Sequence, residues 1–490
     1  MDRPNILIIM SDQHHAGTMG CAGDTAIRTP NLDGLSANGV RFDRCYTASP
    51  LCVPARMAFM TGQYPSDTRT WCNEDILPSD IPTFAHALGL GGYETVLCGR
   101  MHFCGPDQRH GFEKRLVGDI TGVHHRQLRP DADQLMKDMW DAMQQSLHAA
   151  NFSGPGRSCV LDYDDEVTDA CVDFLDQRDD DRPLCMVVGT FLPHCPFIVD
   201  ADLFDSYRDK VPPPPELPED YFEQVHPLIN QWIADRGITD IDPAITERVR
   251  QAYYGMVTYF DNLVGRMLEA LQRSAIADNT IIIYCSDHGE MAGEHGMFWK
   301  SNFFEGSVRV PLMVSWPGHL GEGLTIDRIV NLVDVAPTLL DLAGVDHFPH
   351  HIRGRSLRGF FTEGRCDDWK NETYSEHYNT LNLPAGRMIR RDQWKLVHYH
   401  ANDTPMLFNV DEDPEEVIDL AGDPAHARLR EQLLEKVRRG WDGGMIQREV
   451  TRKRMQYTPL MHQWGASNGP PHPDYWVGMN DMNQFTPASQ

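Results

Sequence analysis

Two continuous apolar runs limit what this chain can become: residues 5–10 (Asn-Ile-Leu-Ile-Ile-Met) and 280–284 (Thr-Ile-Ile-Ile-Tyr). Each is short, uncharged and closed by a polar turn. A strand with one wet face would alternate, whereas a continuous run of this length reads as a strand buried on both faces. Residues 93–97 and 183–189 read as further strands, Val40, Arg41 and Phe42 open another, and residues 308–312 open one more. Helical patterns lie between them. One is amphipathic over 81–92, others cover 131–149, 162–176 and 329–342, and a long one over 244–274 has apolar residues at helical spacing. Strands alternating with helices predict an α/β domain whose sheet is covered by helices.

In such sheets ligands gather beyond the carboxyl ends of the strands. Four strand ends here carry groups suited to that. Asp12 and Gln13 follow residues 5–10, and Arg100 and His102 follow 93–97. His194, between Pro193 and Pro196, follows 183–189, and Asp287 and His288 follow 280–284. Carboxylate and amide oxygens suit Ca²⁺, Mg²⁺ or Mn²⁺, and a histidine in the set tilts toward Mn²⁺. Arg56, Arg100, His102, His194 and Lys300 are cations, or become so on protonation, and together can cradle a tetrahedral oxyanion.

The remaining segment of interest is 51–62, Leu-Cys-Val-Pro-Ala-Arg-Met-Ala-Phe-Met-Thr-Gly. It reads as a loop entering a helix. Pro54 suits a first turn, where a missing N–H costs little, and Gly62 followed by Pro65 stops the helix. Cys52 then stands at the helix N-terminus, where partial positive charge favours an anion.

Cys52, Pro54 and Arg56 form a C-x-P-x-R pattern that, with Met60-Thr61-Gly62, resembles the signature of type I sulfatases of the alkaline phosphatase superfamily. The resemblance covers residues 4–440. Asp12-Gln13, in place of the commoner Asp-Asp, looks like the choline sulfatase and phosphonate monoester hydrolase branches. Tyr46-Thr47-Ala48-Ser49-Pro50-Leu51-Cys52 and the run from Met101 to Gln108 look especially like choline sulfatase. Ser286-Asp287-His288-Gly289-Glu290, Arg309-Val310-Pro311 and Asp413-Pro414-Glu415-Glu416 are similar to general family features.

The resemblance implies an alkaline-phosphatase-like large mixed sheet flanked by helices, plus a small C-terminal α+β subdomain with an antiparallel sheet. It implies a sulfuric ester hydrolase in which Cys52 is converted by a formylglycine-generating enzyme to Cα-formylglycine, whose hydrate is the nucleophile. The implied metal ligands are Asp12, Gln13, Asp287, His288 and the modified Cys52, holding one divalent cation, Ca²⁺ ahead of Mn²⁺ or Mg²⁺. Arg56 would fix the hydrate. Arg100 stands where the family usually has lysine, which keeps the charge and changes the geometry. His102 would bond the second hydroxyl and take its proton, while His194 and Lys300 would hold the sulfate and help protonate the leaving oxygen. The alternative on the same site is a phosphonate monoester or phosphodiester hydrolase. The alcohol, choline or a sugar, stays open.

Composition enters at the level of partners. A net charge of -27 over 490 residues argues against nucleic acid or an anionic membrane surface as partner and does not forbid an anionic substrate, since a few local cations can define a site; the resemblance implies a small-molecule sulfate ester. The start of the chain lacks a basic segment ahead of residues 5–10, and no apolar run approaches the length of a membrane span. The twelve cysteines are scattered without a C-x-x-C pattern, which fits reduced thiols and a cytoplasmic protein. The catalytic domain is expected over 1–370. A small antiparallel-sheet subdomain is expected over 371–445, from the alternation in 387–400 and 406–410 and an amphipathic helix over 426–441. Asp413-Pro414-Glu415-Glu416 reads as a turn and helix cap. Residues 446–490 show little periodicity but contain Met455, Tyr457, Met461, Trp464, Tyr475 and Trp476. That tail is too aromatic to stay solvated, so it is expected to dock on its own domain or on a neighbour in a homo-oligomer.

Overall fold

The computed structural model describes residues 3–121, 141–346, 352–378 and 382–468. Fourteen strands occur among them. In chain order they are β1 (Asn5–Ser11), β2 (Val40–Tyr46), β3 (Glu94–Gly99), β4 (Lys114–Arg115), β5 (Gly154–Pro155), β6 (Leu184–Gly189) and β7 (Ile198–Val199). There follow β8 (Thr280–Ser286), β9 (Leu312–Ser315), β10 (Leu324–Asn331), β11 (Glu372–His377), β12 (Gly386–Arg391), β13 (Trp394–Tyr399) and β14 (Met406–Asn409). Eight of them form one mixed sheet in the order β10-β2-β9-β8-β1-β6-β3-β4. All neighbours are parallel except β9, which runs antiparallel to both β2 and β8.

Period-two alternation of buried side chains gives the sheet two apolar faces. On β1, Leu7 and Ile9 join the core with Val160 and Val167 of the helix Cys159–Gln177 and Val257 and Phe260 of the helix Pro243–Arg273. Ile6, Ile8 and Met10 enter the opposite core with Met57 and Phe59 of the helix Cys52–Thr61 and Leu339 of the helix Val335–Ala343. Continuous apolar strands are therefore what this architecture demands.

Register decides where the site lies. Ser11 pairs with Ser286, Met10 with Gly189, and Gly99 with Gly189. Four adjacent strands, β8, β1, β6 and β3, thus end level, and the residues after them emerge side by side. Gly189 makes this possible. A Cβ there would lie 1.7 Å from the Arg100 carbonyl oxygen, so any side chain would push β3's exit away from β6.

The structure differs from the sequence reading in several places. Residues 329–342 are not one helix. Ile329–Asn331 complete β10 beside β2, and the helix starts at Val335 after a turn in which the Asn331 side chain accepts from the Val333 N–H at 3.1 Å. A partner nearly 300 residues away decides that, and no local pattern encodes it. Residues 308–312 end a helical turn, Glu305–Val308, and β9 begins only at Leu312, directly after Pro311, which has no N–H for a ladder. Much of the helix expected over 131–149 lies outside the described residues, and within them a short helix covers Leu147–Asn151.

Strands β11–β14 form a separate antiparallel sheet, covered by the helix Ala427–Arg438 through Leu433, Leu434 and Val437. The Asp413-Pro414-Glu415-Glu416 turn leads into no helix of its own. Glu416, at φ +50°, instead caps another segment, accepting from the Glu305 N–H at 2.6 Å. Its carboxylate also meets Lys395 Nζ, which donates to Glu305 Oε1 at 2.8 Å. This largely buried cluster, with Lys395 and Glu416 shielded and Glu305 at its edge, ties the small sheet to the segment that follows Lys300.

The segment from 446 is more regular than expected. A helix Gly443–Arg452 runs through a π-turn, Lys453–Tyr457, into a helix Thr458–Asn468. Ile446 and Val450, one turn apart, bury against Trp71, Cys72, Tyr378 and Ala385, so this part docks on its own chain. Residues 469–490, with Tyr475 and Trp476, lie outside the described residues.

Candidate active site

The helix Cys52–Thr61 begins with Leu51 extended as its N-cap and ends at Gly62 in the left-handed region, φ +66°. Cys52 is its first residue. Arg56, four positions on, lies on the same side one turn deeper. Both are buried. Arg56 Nε donates to Asp287 Oδ2 at 2.7 Å and Nη2 to Asp12 Oδ2 at 3.2 Å. Each carboxylate has thus committed one oxygen to the guanidinium. The other two, Asp12 Oδ1 and Asp287 Oδ1, lie 3.5 and 3.7 Å from His288 Nε2. Cys52 Sγ is 3.2 Å from the same nitrogen and 3.8 Å from Asp12 Oδ1.

Asp12, Cys52, Asp287 and His288 therefore offer donor atoms that all lie within 4.8 Å of one another. His288 Nδ1 donates to the Gly289 carbonyl at 3.1 Å, which leaves the Nε2 lone pair facing the cluster. Two carboxylate oxygens, an imidazole nitrogen and a sulfur atom are a donor set that fits a divalent cation. Burial and Asp12 oppose ionisation of Cys52, but Lys300 and His288 outweigh them and hold its thiol below the ordinary range. Burial alone would raise Asp12. Arg100 and Arg56 overcome it and keep the carboxyl well below the usual value.

Arg100 uses the fork that a lysine lacks. Nε donates to Asp12 Oδ2 at 2.7 Å, Nη1 to Asp119 Oδ1 at 3.2 Å and Nη2 to His102 Nδ1 at 2.7 Å, with the guanidinium 4.4 Å from the centre of the Phe191 ring. Asp119 in turn accepts from the His102 N–H at 2.7 Å, holding that residue at φ +57°. Because His102 Nδ1 accepts from Arg100, the neutral ring carries its proton on Nε2.

On the other side of Cys52, Lys300 Nζ meets Gln13 Oε1 and His194 Nε2. His194 Nδ1 donates to the Cys195 carbonyl at 2.6 Å, so its Nε2 is an acceptor. Burial and the neighbouring Lys300 push His194 well below its usual value, which keeps the ring neutral. The Gln13 side chain is engaged by Lys300 and Glu290 rather than by the four-residue cluster.

Cys52, Arg100, His102, His194 and Lys300 line one cavity of about 310 Å³. Asn73, Glu74, Gln145 and Phe191 line it too, and so does Arg454 from the C-terminal helical segment, whose Nη2 donates to Glu74 Oε2 at 3.1 Å. All ten residues singled out in the sequence for catalysis or metal binding thus converge on one place. Sequence reasoning missed Asp119, which carries no motif, and Glu290, which stands inside a quoted run but was given no role.

Comparison with known proteins agrees with this geometry. The sulfatase family profile matches residues 4–345, and the profile of the N-sulphoglucosamine sulphohydrolase C-terminal region matches 293–441. The chain is similar to a choline-sulfatase of Rhizobium meliloti, at 37% identity over 435 residues, covering 86% of this chain and 83% of the relative. An N-acetylglucosamine-6-O-sulfatase of Bacteroides thetaiotaomicron is 27% identical, with 88% and 85% covered. Among solved structures, the phosphonate monoester hydrolase of Agrobacterium radiobacter superposes with a TM-score of 0.71 at 27% identity, covering 89% of this chain and 94% of that one.

Proposed function

The chain belongs to the sulfatase family and is a sulfuric ester hydrolase, and from that premise we propose that it cleaves the sulfate monoester of a small alcohol or sugar at Cys52. The observation that carries this reading is the placement of Cys52: first residue of a helix, within 4.8 Å of three metal-type donors and on the wall of a cationic cavity. Cys52 is proposed to be oxidised to formylglycine by a formylglycine-generating enzyme, since a thiol offers one reactive atom where a hydrated aldehyde offers two hydroxyls. Asp12, Asp287 and His288, with Gln13 beside them, would hold one divalent cation, Ca²⁺ ahead of Mn²⁺ or Mg²⁺. Such a cation lowers the pKa of a bound hydroxyl and draws charge from a sulfuryl oxygen.

The chain's own groups divide the remaining work. Arg56 holds the two carboxylates apart and in register through one oxygen each. His102, with Nδ1 taken by Arg100, donates from Nε2 toward the nucleophile's oxygen. Lys300 faces the cavity as a cation and gives hydrogen bonds to the sulfate oxygens. His194, bonded to Lys300 through Nε2, lies where a proton can pass from the lysine side toward the departing oxygen. Replacing either His194 or Lys300 by alanine is expected to lower kcat/KM by about 10²–10³, the scale for one charge-stabilising donor. Marginal changes in both variants would make these residues structural.

Parallel assays test the substrate class. Turnover of 4-nitrophenyl sulfate, choline sulfate and N-acetylglucosamine 6-sulfate should exceed that of a phenyl phosphonate monoester. The reverse order would favour the phosphonate reading, which a shared cationic cradle permits.

We further propose a cytoplasmic homo-oligomer. No disulfide joins any of the twelve cysteines, which suits a reducing compartment, and no helix among the described residues is long and apolar enough to cross a membrane. Tyr457, Leu460, Met461 and Trp464 are exposed at helical spacing, a stripe suited to a second copy of this chain. Truncation near residue 450 removes both that stripe and Arg454 from the cavity wall. It should lower the mass seen by light scattering and raise KM. A monomeric full-length protein with kinetics unchanged by truncation rules this out.

A further inference from the structure

Glu290 is wholly buried and, among the described residues, forms no ion pair. It lies three residues beyond Asp287, yet among those residues its carboxylate accepts from N–H groups alone. Oε1 takes the backbone N–H of Ala292 at 2.8 Å and of Trp299 at 2.6 Å. Oε2 takes Gln13 Nε2 at 2.5 Å. A carboxylate has no proton to give, so only the nitrogen end of the Gln13 amide can face it. The oxygen end must then face the other way, and there it meets Lys300 Nζ.

The main chain of Gln13 cannot yield to relieve a wrong orientation. It sits at φ +67°, its N–H donates to Asp287 Oδ1 at 3.2 Å and its carbonyl accepts from the Tyr253 hydroxyl at 2.8 Å. Lys300 has three N–H bonds to place. One goes to Gln13 Oε1 and one to His194 Nε2, an acceptor because Nδ1 donates to the Cys195 carbonyl. The third is left for the cavity that Lys300 lines.

Resting on the sulfatase reading above, we infer that Glu290 is a positioning residue: by fixing which end of the Gln13 amide faces Lys300, it aims the third Lys300 N–H at the sulfate. Glu290 touches neither substrate nor reacting atoms. Its contribution is polarity, since it makes Gln13 an acceptor toward the lysine. With the amide reversed, an NH₂ group would confront the ammonium and drive it out of line.

The test is a reciprocal exchange. In Glu290→Gln, Oε1 can still accept the two backbone N–H groups, which turns Nε2 toward Gln13 and sets donor against donor. Gln13 must flip or withdraw. Wild type, E290Q and the double variant Q13E/E290Q would be compared for 4-nitrophenyl sulfate kinetics, inorganic sulfate affinity by calorimetry, bound metal per chain and melting temperature. E290Q is expected to lose about 10² in kcat/KM, the scale for misplacing one charge-stabilising donor. Sulfate affinity should fall about tenfold in parallel, with metal content unchanged because Gln13 Oε1 is committed to Lys300; loss of metal in E290Q would make the defect one of Gln13 as a ligand and overturn the inference. In Q13E/E290Q the amide at 290 donates to a carboxylate at 13 whose other oxygen accepts from Lys300, so every bond is remade. Sulfate affinity should return to near wild type, and kcat/KM should recover at least tenfold.

Wild-type kinetics and sulfate affinity in E290Q overturn the inference. So does a folded double variant that recovers neither quantity, because a merely structural Glu290 would not be rescued by exchanging its partner. Should E290Q fail to fold, the double variant decides alone: folded with sulfate affinity restored supports positioning, and folded without it, or unfolded, overturns it. If wild type itself fails to turn over any sulfate ester, the sulfatase reading falls, while the sulfate affinities still judge Glu290.

Discussion

Replacing Cys52 by alanine or serine is expected to abolish sulfate ester hydrolysis while the fold is retained. The expected loss is about 10⁶-fold, as when a covalent nucleophile is removed. Retention of the fold follows from the site: Cys52 is the first residue of its helix, where its side chain fills little volume, and the cap at Leu51 and the stop at Gly62 do not involve it. Serine keeps a hydroxyl in place of the thiol, but it is not a substrate for oxidation by an aerobic formylglycine-generating enzyme. It therefore separates the need for the modified residue from the need for any nucleophile. Intact mass supplies the second measurement. Modified wild type should be lighter than the sequence mass by about 18 Da, whereas the serine variant should match its sequence mass. Full activity in Cys52→Ser would end the formylglycine proposal, and the metal and cation arguments would then need another nucleophile.

Asp287→Asn is expected to lose bound metal and activity together, with kcat/KM falling by more than about 10³-fold. The geometry leaves the amide no satisfactory orientation. Asp287 Oδ2 accepts from Arg56 Nε at 2.7 Å, and Oδ1 accepts from the Gln13 and His288 N–H groups at 3.2 and 2.9 Å. All those partners are donors. An asparagine NH₂ must therefore oppose either the guanidinium or two backbone N–H groups and the cation. The variant also removes one of the two carboxylates that accompany the fully buried Arg56. Elemental analysis of purified protein and a thermal-shift titration with Ca²⁺ are the measurements. Wild type stripped of metal should gain melting temperature as Ca²⁺ is restored, through binding to the native state alone. Asp287→Asn should gain none. A variant that retains one metal per chain would remove Asp287 from the ligand set.

Most of the site was legible before the fold was known, because its groups are tied to local signals. Residues 5–10 and 280–284 are apolar without interruption, which only strands buried on both faces require, and polar residues directly beyond such strands emerge at a sheet end. Cys52 and Arg56 were readable for a similar reason. A proline in the first turn and a glycine stop bracket a helix of known phase, and four residues then place both side chains on one side. The small antiparallel sheet was legible from alternation and from the short turn that joins β12 to β13, but both strands prove covered on both faces, Ile389 and Leu396 by the helix Ala427–Arg438 and Met388 and Val397 by the large core.

What stayed hidden rests on partners distant in sequence. Asp119 had no motif, and its meaning comes from Arg100 and the His102 N–H turning back onto it. The helix expected over 329–342 lost its first residues to β2, a strand nearly 300 positions earlier. The described part of the tail was unreadable because Ile446 and Val450 gain a surface only where Trp71 and Tyr378 already stand together.

By itself, then, the amino-acid order determined the buried strands, the polar group at each strand end and the helix that presents Cys52. Each of these follows from side-chain polarity and backbone preference within a dozen residues. Only the tertiary structure decided that β8, β1, β6 and β3 lie side by side and end level, which turns four separate strand ends into one cluster. It also decided the polarity of the groups within that cluster. Whether His102 donates or accepts, and which end of Gln13 meets Lys300, depends on hydrogen-bond partners brought from Arg100 and Glu290. A residue type lists what a side chain can do, and the partners that the fold places around it select which of those it does.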